Sequence, residues 1–465
     1  MNRISNEVDK WINRSLDRHV RLAVTGLSRA GKTAFITSLI NQLLHVSTNP
    51  RLPMFSAVRE GYLLGSKRVP QLDMHVPKFG YDEGINALLS SPPSWPQPTS
   101  DVSQTRLALR FKPQKGALKL FQDTATLYLD IIDYPGEWLL DLPLLELDFI
   151  SWSKQQAQVL KGQRLALAQS WLAMGEQFDP FAPADEALIE TIAASFTDYL
   201  HQCKAEGGLH WVQPGRFVLP GELAGAPVLQ FFPMIWTNKY TEQQLATATD
   251  DSNFGMLKKR YKYYQQHVVK AFYNDHFSKF DRQIVLVDCL QPLNAGHESF
   301  NDMRQALDQL MQSFKYGRSS MLRRLFAPRI DKVLFAATKA DHITPEQHPN
   351  LVGLLQQLVN EAWQTASFEG ITMDCVSLAS IQASEPGFVN YQGKQVPALR
   401  GTDIDGNAQT FFPGDVPRRL PNQDFWNRNG FDFINLRPLP QQVDEPLPHI
   451  RMDKALEYLL GDKLQ

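Results

Sequence analysis

One short loop carries the clearest chemistry in this sequence. Residues Gly26 to Thr33 read Gly-Leu-Ser-Arg-Ala-Gly-Lys-Thr and match the pattern G-x-x-x-x-G-K-[ST] in full. Such a loop binds phosphate, because its glycines let backbone N–H groups turn inward and the following helix contributes its positive N-terminal end. We expect Lys32 to reach the β- and γ-phosphates and the Thr33 hydroxyl to bind Mg²⁺. The predicted phosphate-binding residues are Gly26, Leu27, Ser28, Arg29, Ala30, Gly31, Lys32, Thr33 and Ala34.

A second motif, Asp133-Tyr-Pro-Gly136, follows the apolar run that ends at Ile132. We expect the Asp133 carboxylate to lie near Mg²⁺ and the Gly136 N–H to bond the γ-phosphate, although an Asp-Pro-Gly segment is also a common turn. The next residue is Glu137, where efficient enzymes of this kind often carry a glutamine that orients the attacking water. A carboxylate cannot donate a hydrogen bond toward the γ-phosphate, so slow hydrolysis is predicted. The predicted catalytic residues are Lys32, Thr33, Asp133, Gly136 and Glu137.

Two later motifs indicate which base the nucleotide carries. Thr338-Lys-Ala-Asp341 follows another apolar strand, and its terminal carboxylate can accept both N–H groups of a guanine edge, which adenine lacks. Ser377-Leu-Ala-Ser380 follows the last predicted strand of the sheet and is the natural place for a backbone amide that contacts the guanine oxygen. The predicted base-binding residues are Thr338, Lys339, Asp341, Ser377, Ala379 and Ser380. Together the motifs favour GTP over ATP.

One further Mg²⁺ ligand is expected just before the second strand of the core. A threonine there would bind the metal in the triphosphate state. Thr105 and Thr99 are the two candidates, and Thr105 is preferred for its position.

The elements around these motifs predict an α/β fold. Apolar runs predict strands at Val20 to Thr25, Arg106 to Phe111, Leu127 to Ile132, Gln283 to Asp288, Lys332 to Ala337 and Met373 to Ser377. The second and third of these suit a hairpin, and helical patterns between most of the others imply crossover connections. We therefore predict a P-loop NTPase with a Ras-like, mostly parallel sheet and a large, mainly helical insertion.

Four segments follow from this pattern. Residues 1–138 form the first half of the GTPase core, with an ordered but irregular insertion at about 49–100 in which Ser56 to Leu64 is strand-like. Residues 139–282 form the mainly helical insertion domain, and residues 283–384 form the second half of the core. Residues 385–465 form a C-terminal extension with hairpin-like pieces and a closing helix. Within it, Asp403 to Asn407 resembles the start of a calcium loop but lacks the expected glutamate, so a turn is predicted.

Composition narrows the classes of partner. The 47 Lys and Arg residues nearly balance the 49 Asp and Glu residues, so a net charge of −2 predicts no general attraction to nucleic acid. Three widely spaced cysteines indicate reduced thiols and favour the cytoplasm. No uncharged apolar run of about 18 residues occurs. Ile4, Val8 and Trp11 would share one face of an N-terminal helix, which either packs on the core or contacts a membrane surface.

The combination of Gly26 to Thr33, Asp133 to Trp138, Thr338 to Asp341 and Ser377 to Ser380 resembles the bacterial YcjX-like family of P-loop GTPases over nearly the whole chain. The resemblance implies a cytoplasmic, stress-associated GTPase, often encoded beside a membrane protein of the YcjF type. Such a protein is therefore a candidate partner, and peripheral contact with the inner membrane is a candidate location.

The predicted function is thus a switch that binds GTP and hydrolyses it slowly to GDP and phosphate with Mg²⁺ in a bacterial stress response. Two alternatives stay open. One is an interaction or membrane-associated stress protein whose nucleotide is mainly structural, and the other is an ATP-hydrolysing P-loop enzyme.

Overall fold

The computed structural model describes residues 18–27, 29–98, 101–115, 119, 122–235, 239–313, 330–368, 370–391, 393–428, 430–431 and 433–465. These residues form two compact units. The first falls within Met1–Tyr134, Phe280–Asn294 and Arg329–Gln465, and the second falls within Pro135–Lys279 and Ala295–Pro328. The predicted N-terminal helix face lies outside the described residues.

A seven-stranded sheet organises the first unit. Its strands are β1 (Arg18–Gly26), β2 (Leu63–Val69), β3 (Ser103–Phe111), β4 (Ala125–Asp133), β5 (Arg282–Val287), β6 (Lys332–Ala337) and β7 (Thr372–Ser377). They lie in the order β2-β3-β4-β1-β5-β6-β7. Strands β4, β1, β5, β6 and β7 run parallel, whereas β2 and β3 pair antiparallel with each other and β3 pairs antiparallel with β4. The predicted hairpin and the mostly parallel α/β sheet are confirmed.

The edge strand β2 was not predicted at its true position. The segment interpreted as strand-like from Ser56 to Leu64 instead forms a short helix, Ser56–Arg59, and the strand begins only at Leu63. A second helix, Tyr81–Leu89, follows β2 before the chain enters β3. The edge position explains the miss, because β2 alternates weakly between buried and exposed residues and offers little hydrophobic period to recognise.

The first unit also contains the short helices Leu290–Ala295 and Gln423–Arg428. The helices of this unit that pack against the sheet are Lys32–Leu44, His348–Leu358, Asn360–Phe368 and Met452–Leu460. The last of these is the predicted closing helix, and its residues Met452 and Leu456 belong to the same core cluster as Val20 of β1 and Phe35 of the first helix. The end of the chain is therefore an integral part of the core of the first unit. The predicted single helix from Asn350 to Ala366 is two helices.

A small antiparallel sheet lies in the C-terminal extension. It consists of β8 (Ser384–Tyr391), β9 (Lys394–Thr402) and β10 (Ala408–Phe411), in the order β10-β9-β8. The predicted turn from Asp403 to Asn407 joins β9 to β10. The Asp403 carboxylate closes it by accepting hydrogen bonds from the backbone N–H groups of Asp405 (3.0 Å) and Asn407 (2.8 Å).

The second unit, as far as the structure describes it, is built from helices. Those helices are Phe149–Val159, Gly162–Leu167, Gln169–Gly175, Glu186–Ala205, Gly215–Val218, Glu242–Leu245, Asn253–Tyr264, Lys270–Asp275 and His297–Ser313. The periodicity over Gln155 to Gly175 merges three of these helices, and a π-helical turn at Gln265–Val269 interrupts the predicted helix from Phe254 to Phe277. Across the described part of the chain, no helix is long and apolar enough to cross a membrane.

Candidate nucleotide-binding site

Two glycines shape the loop between β1 and the first helix. Gly26 ends β1 directly beside Leu286 of β5, and a Cβ added to it would lie 2.7 Å from the Leu286 carbonyl oxygen. Gly31 precedes the helix Lys32–Leu44 with a φ of +81°, a left-handed conformation that glycine adopts without a steric cost. The two glycines of the motif are therefore required by the backbone itself.

The helix start brings the chemistry of the loop together. Lys32 and Thr33 are the first two residues of the helix, and both are half-buried. Arg29 has a φ of +63°, which is uncommon for a residue other than glycine, and its side chain is exposed. Ser28 lies outside the described residues.

Asp133 ends β4 on the strand next to β1. It is buried, and it lies opposite Val24 of β1 on one side and Ser103 of β3 on the other. Since β1 and β4 are parallel, their carboxyl ends meet at one edge of the sheet, where the loop that follows β1 also begins. The structure therefore brings the Asp133 carboxylate to the edge that carries the predicted phosphate-binding loop.

The last two residues of that motif, Pro135 and Gly136, belong to the second unit. Gly136 and Glu137 begin a 3₁₀ segment, Gly136–Glu146, and both are buried. The carboxylate of Glu137 forms an ion pair with Lys204 at 2.6 Å, within the same unit. Glu137 thus has a charged protein partner, which its place after the motif did not predict.

The segment from Thr338 to Asp341 turns sharply at the end of β6. The Thr338 N–H donates to the Val287 carbonyl at 2.9 Å, and Lys339 takes a left-handed φ of +59°. Asp341 is buried, and one of its carboxylate oxygens accepts a hydrogen bond from the Ala383 N–H at 2.7 Å. The Ser384 hydroxyl donates to the Asp341 backbone carbonyl. The protein therefore holds one side of this carboxylate in place.

A carboxylate that sequence reasoning missed supports this turn. Asp288 directly follows β5, is buried, and forms an ion pair with the Lys339 ammonium group at 2.6 Å. Burial by itself would raise the pKa of Asp288, but Lys339 and backbone N–H donors hold that pKa below its ordinary value. Its position at the carboxyl end of a parallel strand, like that of Asp133, is the signal that could have found it.

The last predicted loop follows β7. Ser377 is the final residue of that strand and is buried. Ala379 exchanges two backbone hydrogen bonds with Ile450, of 3.1 Å and 2.8 Å, just before the closing helix. The chain end therefore fixes the backbone of the loop that was predicted to contact the base.

These loops surround one cavity of about 520 Å³ in the first unit. Its lining includes twelve of the predicted residues, namely Leu27, Arg29, Ala30, Gly31, Lys32, Thr33, Ala34, Thr338, Lys339, Asp341, Ala379 and Ser380. The volume falls within the usual range for a small-molecule site of about 300–1,000 Å³. The loop after β1 supplies cationic and helix-start groups, and the turn after β6, two strands away in the sheet, supplies the buried Asp341 carboxylate. The cavity can therefore take a ligand with a phosphate end and a hydrogen-bond-donating end.

Comparison with known proteins places the chain in a family. The model of the YcjX-like family, DUF463, matches residues 20–464. The chain belongs to the YcjX-like family. It is similar to the protein named Ras-like GTPase YcjX of Escherichia coli (strain K12), with 59% identity over 466 residues and 100% of both chains covered. It is also similar to the protein of the same name from Shewanella oneidensis, with 44% identity over 480 residues, 100% of this chain and 99% of the relative.

In this member of the YcjX-like family, Thr105, the threonine predicted as a further Mg²⁺ ligand, is not at the edge of the sheet. Thr105 lies inside β3, paired with Ile131, two residues beyond the pair of Ser103 with Asp133. At about 3.3 Å per residue, that position is roughly 7 Å from the edge. A strand that begins earlier than predicted explains the difference. Thr99 lies outside the described residues.

The family member's cavity also has walls that none of the motifs predicted. Eight further residues line it, namely Trp95, Pro96, Pro98, His342, Ile381, Ile404, Asn435 and Leu436. They come from the insertion before β3, from the loops after β6 and β7, and from the C-terminal extension. No local pattern marks them, because only the fold brings these segments to the cavity.

Proposed function

We propose that this chain binds guanine nucleotides in the cavity of the first unit and hydrolyses GTP slowly to GDP and phosphate. One observation carries the proposal: the half-buried Lys32 and Thr33 and the buried Asp341 line the same cavity. A triphosphate suits the cationic loop and the helix N-terminus, and a guanine suits an acceptor-only carboxylate. The names of the two relatives, Ras-like GTPase YcjX, support the same chemistry.

Magnesium fits the oxygen donors at the phosphate end. Mg²⁺ is usually bound by one or two protein oxygens together with substrate phosphates and water. The Thr33 hydroxyl begins the helix and the buried Asp133 carboxylate ends β4, so these two residues would hold the ion. When bound, the ion would neutralise negative charge on the phosphates. Lys32 would add a fixed positive charge beside them.

The proposed role is a nucleotide-dependent switch. The motif from Asp133 to Gly136 runs along the chain from the first unit into the second, so a change in its backbone acts on both. Loss of the γ-phosphate would then alter affinity for a partner. On the resemblance described above, a membrane protein of the YcjF type is the first candidate partner, with a cytoplasmic location or peripheral contact with the inner membrane. A role in the stress response is part of the same proposal.

The test begins with the nucleotide that the purified protein retains, released by denaturation and identified by chromatography. Competition binding with GTP, GDP and ATP and the release of inorganic phosphate then follow. Guanine nucleotide with slow, Mg²⁺-dependent phosphate release is expected. Tight GTP binding without any phosphate release would instead indicate a structural nucleotide, and a preference for ATP would indicate an ATP-hydrolysing enzyme. Either outcome would overturn the proposal.

A further inference from the structure

We propose that the C-terminal extension completes the base end of the nucleotide pocket, where Trp95 latches it to the insertion before β3. This inference rests on the proposed nucleotide-binding function. It adds a specific claim, namely that Ile404 on the β9–β10 turn contacts the nucleoside and that nucleotide binding stabilises the turn.

The latch is a hydrogen bond between segments more than three hundred residues apart. The indole N–H of Trp95 donates to the backbone carbonyl of Leu436 at 2.8 Å. Trp95 is half-buried and packs on a small apolar cluster that contains Ile381, the residue directly after Ser380. Trp95 therefore lies beside the loop proposed to contact the base.

The segment 435–437, which contains Leu436, also holds the β9–β10 turn in place. Leu436 forms a β-bridge with Asp403, the Ile404 N–H donates to the Asn435 carbonyl at 3.2 Å, and the Arg437 N–H donates to the Thr402 carbonyl at 2.8 Å. The Arg437 guanidinium also donates to the Ile404 carbonyl at 2.9 Å. Hydrogen bonds thus connect Trp95 through Leu436 to the turn that carries Ile404.

The small sheet is joined to the base-reading carboxylate as well. The first residue of β8, Ser384, donates its hydroxyl to the Asp341 carbonyl, and Ser384 pairs with Gly401 near the end of β9. Two independent connections, one through Ser384 and one through the segment 435–437, therefore hold the β9–β10 turn at the Asp341 end of the cavity.

Ile404 is exposed to the degree expected of an apolar side chain that a bound ligand would cover. It is 55% exposed, although it lines the cavity together with Trp95 and Leu436. An apolar side chain in a cavity wall gains free energy when a ligand displaces its water, and a flat, largely apolar nucleobase face provides that contact. Because the contact does not read hydrogen bonds, it favours guanine and xanthine nucleotides equally.

The experiment compares Ile404→Ser with a matched control, Phe388→Ser. Phe388 lies on β8 of the same small sheet, is 60% exposed, and is not part of the described cavity lining. The Ile404→Ser substitution should lower the affinity for GDP and GTP by about three- to tenfold, as expected for the loss of part of one apolar contact. Phe388→Ser should bind both like the wild type. Inorganic pyrophosphate, which has no base, should bind the wild type and both variants equally.

A second measurement tests the latch. The Trp95→Phe substitution keeps an aromatic ring but removes the N–H donor to Leu436. It should therefore lower the affinity for GDP by a similar factor. In the wild type, GDP should slow amide hydrogen exchange in residues 398–411 and 433–437, and Trp95→Phe should reduce that slowing. Ile404→Ser affinity equal to that of the control, together with unchanged exchange in these segments, would overturn the inference while leaving the proposed function intact. If the wild type binds no nucleotide at all, both fail.

Discussion

The ammonium group of Lys339 lies 2.6 Å from the carboxylate of Asp288, across the ends of the neighbouring parallel strands β6 and β5. Asp288 also accepts hydrogen bonds from the backbone N–H groups of Leu290 (3.0 Å) and Gln291 (3.1 Å), at the start of the next helix. Lys339 has a left-handed backbone, which a residue other than glycine holds only when its surroundings require it. The ion pair thus supports the turn that presents Asp341.

The Asp288→Asn substitution should therefore weaken guanine nucleotide binding, although Asp288 acts through Lys339 and not by contact with the nucleotide. Asparagine can still accept from Leu290 and Gln291, but it loses the charge that holds Lys339, a contribution of about 1.5–3 kcal/mol for a charged hydrogen bond. We expect GDP affinity to fall by about tenfold. Asp82→Asn, which removes an exposed partner of Arg68 on the same unit, is the control and should have little effect. Equal GDP affinity in both variants would contradict the positioning role.

Lys32→Ala should abolish most triphosphate binding or turnover. Lys32 begins the helix in the cavity lining, where a fixed positive charge makes charge-assisted contacts of roughly 1.5–3 kcal/mol with phosphate oxygens. Titration with GTP and a phosphate-release assay measure the loss. Lys67→Ala changes an exposed lysine of β2 and serves as the control. Undiminished binding and hydrolysis in Lys32→Ala would rule out this loop as the working site.

The Asp341→Asn substitution should weaken the binding of GTP and strengthen the binding of xanthosine triphosphate. One Asp341 oxygen accepts from the Ala383 N–H at 2.7 Å, so the asparagine oxygen should keep that bond and its amino group should face the base. An amino donor suits the xanthine carbonyl that replaces the amino group of guanine. The loss of GTP affinity should be roughly thirty- to a thousandfold, from about 2–4 kcal/mol.

Competition among GTP, ATP and xanthosine triphosphate on the wild type and on Asp341→Asn measures this change. A folded Asp341→Asn variant with the same ratio of GTP to xanthosine triphosphate affinity as the wild type would show that this carboxylate does not read the base. The Ile404→Ser variant should leave that ratio unchanged, which separates base reading from the apolar contact.

Intrinsic GTP hydrolysis should be slow, on the order of one turnover per minute or less. Glu137 occupies the place where a glutamine often orients the attacking water, and its carboxylate is buried in an ion pair with Lys204. A carboxylate also cannot donate toward the γ-phosphate. Single-turnover release of phosphate from the isolated protein measures the rate, with Lys32→Ala as the background. Rates of several per second would be incompatible with this view.

The second unit should lose stability as the pH rises from about 4 to about 7. Burial raises the pKa of the Asp141 carboxyl to about 7, although the Tyr264 hydroxyl and the Gly215 N–H donate to it. In the unfolded chain the carboxyl titrates near pH 4, so within this window the folded state holds a proton that the unfolded state has lost. The free energy of unfolding should therefore fall with rising pH, by up to about 3–4 kcal/mol.

Asp141→Asn removes this titration, because an amide cannot ionise, and its pH profile should be flatter than that of the wild type. Urea unfolding midpoints at pH 5 and pH 7.5 for both proteins measure the difference. Parallel profiles would show that Asp141 does not titrate in this window.

The amino-acid sequence by itself determined the glycine loop predicted to bind phosphate, the strand–loop–helix unit around it and the positions of the parallel strands along the chain. Gly31 is required by its left-handed local backbone, and the apolar runs of β5 and β6 match strands buried on both faces. The segment from Thr338 to Asp341 could be assigned for the same reason, since it directly follows such a strand. Local chemistry and short-range periodicity are readable without the fold.

Only the tertiary structure decided which distant side chains meet. The depth of Thr105 depends on the antiparallel register of β3 against β4, which no residue near Thr105 encodes. The pairing of Asp288 with Lys339 depends on two strands lying side by side, and the contact of Trp95 with Leu436 joins two irregular segments from opposite halves of the chain. These contacts form because packing of the whole core brings the segments together, and no short sequence pattern records that packing.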